Sequence, residues 1–325
     1  MKHTLKSRLR AAGCGLRAAL LGCVIATGAL TTTAQADNER FVWISHGPDS
    51  DNWFNVIKNA IQISNKQMGV QTEYRNPPTG DLADMARIVQ QSAAAGVDGI
   101  IVTIADYNVL EGPIKDAIGK GIPVVTVNSG TLEESRKLGA LTHVGQPEYE
   151  AGLGAGQRAK AAGISNFLCV NHYINNPVST ERCRGFADGI GKPLGNQMID
   201  SGMDPSEIRN KVMAYLTANP KTGAILTLGP NSAEPTIRAV KDMGLDGDIY
   251  FGTFDLTADI SAAIKDGTIH FAIDQQPFLQ GALPVVILTH YARYGVAPAN
   301  PILTGPAFIT RENIAQVEAM AGQYR

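Results

Sequence analysis

Apolar residues recur along this chain in short solid runs, separated by longer stretches where they return every three or four positions. Phe41-Val42-Trp43-Ile44 is the first solid run, ending at Ser45-His46-Gly47-Pro48. From Trp53 to Gln67, Phe54, Ile57 and Ile61, with Met68 just beyond, share one helical face. The alternation continues with a strand at 70–74, a helix at 81–95 capped by Asp81, and a strand at 98–103. A helix from about Asn108 to Lys120 and a strand at 123–127 follow. Near-continuous apolar strands alternating with amphipathic helices predict a parallel sheet covered on both faces.

At Asn128-Ser129-Gly130 the rhythm breaks, and a polar stretch runs to Lys137. The pattern then starts again, with strands at 141–145, 166–171, 197–200, 223–228, 250–255 and 269–274. Helices at 148–162, 180–190, 206–217, 233–243 and 257–265 lie between them. Two rounds of one architecture predict two similar lobes divided near residue 130. A long apolar helix at 278–294, a Pro-rich stretch at 298–306 and a short helix at 311–320 complete the reading.

One apolar run is of another kind. Ala18–Leu30 follows the basic residues Lys2, Lys6, Arg8, Arg10 and Arg17 and precedes Ala34-Gln35-Ala36. It is too short to span a bilayer. The three parts together predict a secretory signal peptide over residues 1–36, cleaved before Asp37.

Composition fits a globular protein long enough for two domains: 325 residues, 44% apolar and 18% charged. The chain carries 28 Lys and Arg against 30 Asp and Glu. Without the five basic residues of the leader the balance is 23 against 30, a formal −7. That argues against nucleic acid as a partner. Cys14 and Cys23 leave with the leader. Cys169, on a predicted strand, and Cys183, on the next helix, either form one disulfide, as an exported protein allows, or are buried separately as thiols. With no His at ligand spacing, no metal site is expected.

The chemistry concentrates in Tyr250–Pro277. Asp255 closes one strand, and Gln275 and Gln276 follow another. In an open α/β sheet the carboxyl ends of strands line the ligand crevice. A carboxylate accepts only, whereas an amide accepts and donates, so the pair can share the hydroxyls of one small polar ligand.

Five blocks, in order, resemble one family: AGVDGIIVT-x-AD (Ala95–Asp106), KGIPVVTVN (Lys120–Asn128), HVGQPEYEAG (His143–Gly152), ERCRGFADGI (Glu181–Ile190) and GTFD…DQQP. They resemble the periplasmic sugar-binding proteins of ABC importers, of the ribose- and galactose-binding type, whose fold also forms the effector core of lac-repressor-type regulators. The resemblance implies the α/β type I periplasmic binding fold: two doubly wound, Rossmann-like parallel-sheet lobes joined by a three-strand hinge. The lobes would be 37–128 plus 276–303 and 129–275 plus 304–325, with crossings near Asn128, Gln275 and Leu303. It further implies a periplasmic monomer without cofactor or enzyme activity, which closes on a monosaccharide or polyol and presents it to an inner-membrane ABC permease.

Carried over residue by residue, the resemblance gives Asp106 and Asp255 as acceptors for hydroxyls, although an Asp at either place also suits a helix cap. Arg182 would fork onto ring and hydroxyl oxygens, whereas Arg184 reads as a solvated helix-face residue. Gln275 stands beside Asp255 in the match. Trp53 and Phe54 fall where the family sets aromatics against the apolar face of the sugar, and both also fit a buried helix face. Asp51 and Asn52 fall near a sugar-binding Asn, and Asn128 at the first crossing is counted with the ligand residues. Gly229-Pro230 replaces the Asn-Asp pair the family carries after this strand, leaving Asn231 as the substitute. His172 and Tyr173 depart from the family pattern and are expected to face the ligand.

Other classes have little support. No G-x-S-x-G, H-E-x-x-H or P-loop pattern is present. Gly152-x-Gly154-x-Gly156 lies inside a predicted helix, where close helix packing explains it better than a dinucleotide turn. Delivery of a sugar-like signal to a chemoreceptor or sensor kinase is the second reading, and a sugar-modifying enzyme the rival from another class.

Overall fold

The computed structural model describes residues 38–325, and the leader expected over 1–36 lies outside the described residues. The chain opens with β1 (Arg40–Ile44), α1 (Phe54–Met68), β2 (Gln71–Arg75), α2 (Leu82–Ala94), β3 (Gly99–Val102), α3 (Tyr107–Gly119), β4 (Val124–Val127), α4 (Leu132–Leu138) and β5 (Thr142–Gly145). It continues with α5 (Glu148–Ala161), β6 (Phe167–Asn171), α6 (Pro177–Ile190), β7 (Met198–Asp200), α7 (Pro205–Ala218), β8 (Ala224–Thr227) and α8 (Pro230–Asp242). Then come β9 (Tyr250–Phe254), α9 (Ala258–Asp266), β10 (Phe271–Asp274), α10 (Pro277–Tyr294), β11 (Ile302–Leu303) and β12 (Ala307–Thr310).

Two six-stranded sheets result. The first has the order β11-β5-β4-β3-β1-β2 and the second β12-β10-β9-β8-β6-β7. All pairings are parallel except β10 with β12, at one edge of the second sheet. Strands β3, β4, β6 and β8 are buried along their whole length, as the solid apolar runs require of strands covered on both faces. On one face of the first sheet, Val285, Ile287 and Leu288 of α10 share a core with Phe41, Trp43 and Ile57. On the second, Ala151, Ala155 and Ala159 of α5 pack with Phe167, Cys169 and Phe186.

The chain passes between the sheets after β5, after β10 and after β11. A division at residue 128 would place Thr142–Gly145 with the second lobe, but its hydrogen-bonded partner is β4, with Val125, Thr126 and Val127 opposite Thr142, His143 and Val144. The break at Asn128 is the turn into a helix instead. Thr131 and Glu134 form a reciprocal capping box that opens α4, and α4 is the crossover returning the chain to its own sheet. Towards the other end, the helix expected over 311–320 is two short 3-10 turns, Ile314–Gln316 and Glu318–Met320. Cys169 and Cys183 form a disulfide, with Cα atoms 5.8 Å apart, tying β6 to α6.

Helices α5 and α6 meet through glycines. A methyl group on Gly152 would run into the Arg182 carbonyl, on Gly156 into that of Phe186, on Gly185 into that of Tyr149, and on Gly189 into that of Leu153. Backbone thus lies on backbone, which accounts for Gly152 and Gly156 and brings Glu148 beside Arg182, whereas Gly154 faces the Phe308 ring.

Candidate ligand-binding site

Both sheets have their order reversal between the first strand of the lobe and its neighbour: β2-β1-β3 in one and β7-β6-β8 in the other. Such a switch point opens a crevice at the carboxyl ends of the strands. The two crevices face each other across a cavity of about 50 Å³. The first sheet contributes His46 after β1, Asp51, Trp53 and Phe54 at the start of α1, and Asn128 and Ser129 after β4. The second contributes His172, Tyr173, Asn176, Val178, Ser179 and Arg182 after β6, Leu228 to Asn231 after β8, Asp255 after β9 and Gln275 after β10. The sides touch directly. Asn176 Nδ2 donates to Ser129 Oγ at 2.9 Å, and the His46 and Tyr173 rings meet edge to face at 5.4 Å.

Asp255 anchors a relay of amides. Gln275 Nε2 donates to its Oδ1 and Oδ2 at 2.9 and 3.0 Å. Because a carboxylate only accepts, the amide must turn its nitrogen towards Asp255 and its oxygen away. That oxygen accepts from Asn128 Nδ2 at 3.0 Å and from Gln280 Nε2 at 3.1 Å. Gln280 also donates to Thr304 Oγ1 at 3.0 Å, so one network joins the crossings after β10 and β11 to Asn128, whose backbone N–H binds the Val144 carbonyl of β5. Asn128, Asp255 and Gln276 have φ of 59°, 66° and 57°. Left-handed backbone costs a non-glycine residue about 1–2 kcal/mol, and strain of this kind gathers at functional sites.

Arg182 is held from the side. Its Nε and Nη2 donate to Glu148 Oε2 and Oε1 at 2.7 and 2.8 Å, and Nη1 to the Leu228 carbonyl at 2.8 Å. Its guanidinium lies 4.1 Å from the centre of the Phe254 ring. The fork expected to embrace a sugar is therefore spent mainly on protein, and only its remaining N–H groups can reach a ligand.

Burial sets the protonation states. It raises Asp255 to about 7, against the opposing pull of the Arg182 charge, the Trp53 indole and the Gln275 amide. Asp51 is also raised by burial, offset by the Trp53 backbone N–H and the Asn231 amide. The indole N–H of Trp53 does not meet hydrogen-bond geometry with any partner, and His172 Nδ1 and the Tyr173 hydroxyl are buried without one as well. Burial lowers His46 to about 4 and His172 to about 3, so both rings are neutral at pH 7. Among the described residues, no group of three or more His, Cys, Asp and Glu is placed to hold a metal ion.

Ten of the twelve residues singled out from the sequence line this cavity: Asp51, Trp53, Phe54, Asn128, His172, Tyr173, Arg182, Asn231, Asp255 and Gln275. Two do not. Asp106 turns its carboxylate back to cap α3, accepting from the N–H groups of Asn108 and Val109. Asn52 is exposed on a separate groove beside Asn55 and Thr257. Arg184 is exposed and paired with Glu181. His46, Ser129 and Asn176 were not singled out. His46 and Ser129 follow directly on apolar strands, the position that was its own signal. Asn176 caps α6, accepting from the Val178 N–H. Glu148 was also missed, since its partner lies 34 residues away. At Gly229 an added Cβ would come within 3.3 Å of the His172 ring, so the glycine leaves that ring its place on the cavity.

The sequence profile of the periplasmic binding protein domain matches residues 41–295. The xylose/arabinose-binding protein of Sulfolobus acidocaldarius is 26% identical over 302 residues, covering 88% of this chain and 74% of that one. The ribose import binding protein of Salmonella typhimurium is 24% identical over 242 residues, 72% of this chain and 79% of that one. A solved carbohydrate transporter from Acidothermus cellulolyticus, in complex with myo-inositol, superposes with a TM-score of 0.81 at 32% identity, covering 88% of this chain and 98% of that one. With two doubly wound sheets facing each other across a polar cleft, and a match that spans most of its length, this chain belongs to the periplasmic binding protein family.

Proposed function

We propose that the protein is the substrate-binding component of an ABC importer, taking a monosaccharide or cyclic polyol into this cleft. The observation that carries the reading is the relay from Asp255 through Gln275 to Asn128 and Gln280. It sets fixed acceptors and donors at the carboxyl ends of both sheets, in a cavity that only their approach encloses. The relatives named for xylose, arabinose and ribose, and the neighbour holding myo-inositol, support the ligand class.

The mechanism is closure. The ligand binds groups from both lobes, so it stabilises the closed arrangement by the contacts that only this arrangement offers. The three crossings are the places where backbone angles change. The protein works as an exported monomer in the periplasm and docks in its closed form on an inner-membrane permease. It binds without turning its ligand over.

A thermal-shift screen of pentoses, hexoses and cyclic polyols tests the ligand class. A ligand at a hundred times its Kd stabilises the native state by about 2.7 kcal/mol, so a clear rise in Tm is expected for at least one. Asp255→Ala is expected to remove that rise while the unliganded variant stays folded. If no sugar or polyol moves the melt of the wild type, the ligand class is wrong. If the variant responds as the wild type does, Asp255 does not belong to the site.

A further inference from the structure

The cleft holds more buried carboxyl groups than cations to pair with them. Asp51, Glu148 and Asp255 are 6%, 7% and 4% exposed. Among the residues that line the cavity, Arg182 alone carries a full positive charge, and Glu148 takes it in a two-point ion pair. Asp51 and Asp255 are left facing the cavity with only neutral groups as direct partners: the Trp53 backbone N–H at 3.2 Å for one and the Gln275 amide for the other. The neighbouring Lys58 acts on Asp51 only through its charge, without an ion-pair contact. Lys58 sits 4.9 Å over the Tyr74 ring, and Arg325 pairs with Asp274. Buried charge is costly unless paired, so these two carboxyls ionise readily only opposite a cation, and the cleft is complementary to one.

We propose that the preferred ligand is a polyhydroxylated ring bearing a protonated amine, an amino sugar or aminocyclitol, with its ammonium facing Asp51 and Asp255. The proposal rests on the binding function above and narrows its ligand class. Trp53 lies between the two carboxylates. Its backbone N–H binds Asp51 and its indole lowers the affinity of Asp255 for a proton. Two carboxyls on one cavity suit an ammonium through charge-assisted hydrogen bonds. The rest of the ring would meet Asn176 and Asn231, whose amides bind hydroxyls of either polarity. The histidines do not oppose the cation. Both are neutral at pH 7, and His172 Nδ1 is free to accept or donate.

Matched pairs test this by calorimetry at pH 7: galactose with galactosamine, glucose with glucosamine, and myo-inositol with an amino-deoxyinositol. In at least one pair the amine is expected to bind about tenfold tighter than its neutral counterpart, as a hydrogen bond to a charged group outweighs a neutral one. Asp51→Asn should bring that ratio to within about threefold by removing one of the two carboxyls that can face the ammonium. If the neutral member binds as tightly or more tightly in every pair, the amine inference falls while the binding function stands. If no member of any pair binds, both fall. An unchanged ratio in folded Asp51→Asn also overturns the inference.

Discussion

At Asp255 three unfavourable conditions meet: a left-handed backbone, full burial, and a second buried carboxylate on the same cavity. In the unfolded chain its carboxyl ionises near 3.8, whereas in the folded protein it keeps its proton up to about 7. Between these values the folded state binds the extra proton, so the contribution of this group to stability falls as pH rises from about 4 to about 7. Asp255→Asn removes that slope. In the absence of ligand, the difference in Tm between the variant and the wild type should move in favour of the variant as pH rises across that window and level off above it. Thermal melts from pH 4 to pH 8 check this, and a constant difference would refute it. Position at the end of an apolar strand was enough to pick out Asp255 and Gln275 from the sequence. Asp106, given a ligand role by the resemblance with a helix cap as its other reading, takes the cap, because which way a carboxylate turns depends on the nearest unsatisfied N–H groups. At Asp106 those belong to Asn108 and Val109 of its own helix; at Asp255 a distant amide reaches in.

Among the elements, α5 and α6 place the only full cation of the cavity. Their glycines let the backbones touch, and Glu148 in the first turn of α5 then meets Arg182 in the middle of α6. Alanine in place of glycine stabilises an exposed helix by up to about 1 kcal/mol. At Gly185 the added methyl would meet the Tyr149 carbonyl and the Leu153 N–H. Gly185→Ala is therefore expected to destabilise by about 1–3 kcal/mol in urea unfolding and to weaken ligand binding as Arg182 shifts; a stabilised variant would show that the helices do not depend on this contact. The Cys169–Cys183 bridge closes a loop of 14 residues around the same region, worth about 3 kcal/mol by loop entropy. The strands were legible because each is a solid apolar run. Helix α4 was not, because its stability comes from the Thr131–Glu134 cap rather than an apolar face. With α4 overlooked, β5 looked like the start of a new lobe. The Glu148–Arg182 pair was invisible for a related reason: it depends on how two helices pack, and no local pattern in either one shows it.

At the scale of the whole molecule, two lobes of one architecture are not two successive segments. The final part of the first lobe, α10 and β11, is made from residues 277–303, after the entire second sheet except β12. Arg293 near the end of α10 donates to the Met68 carbonyl at the end of α1, 225 positions back along the chain, and Gly281 lies directly against Ala60 and Ile57. This connectivity sets an order of events during synthesis. Residues 38–145 emerge with Phe41, Trp43 and Ile57 uncovered, and must wait for α10 while the second lobe is completed. Contacts so distant in sequence are slow to form, and the waiting segment exposes apolar surface throughout. A fragment of residues 38–145 should accordingly fail to fold cooperatively by circular dichroism, and residues 276–303 supplied as a separate peptide should restore a cooperative transition. A fragment that folds by itself would show that the first lobe does not need its late-arriving helix. If it does need it, the protein is vulnerable to aggregation and proteolysis chiefly before its last fifty residues are available, and an export pathway that keeps the chain unfolded until release would suit it for that reason.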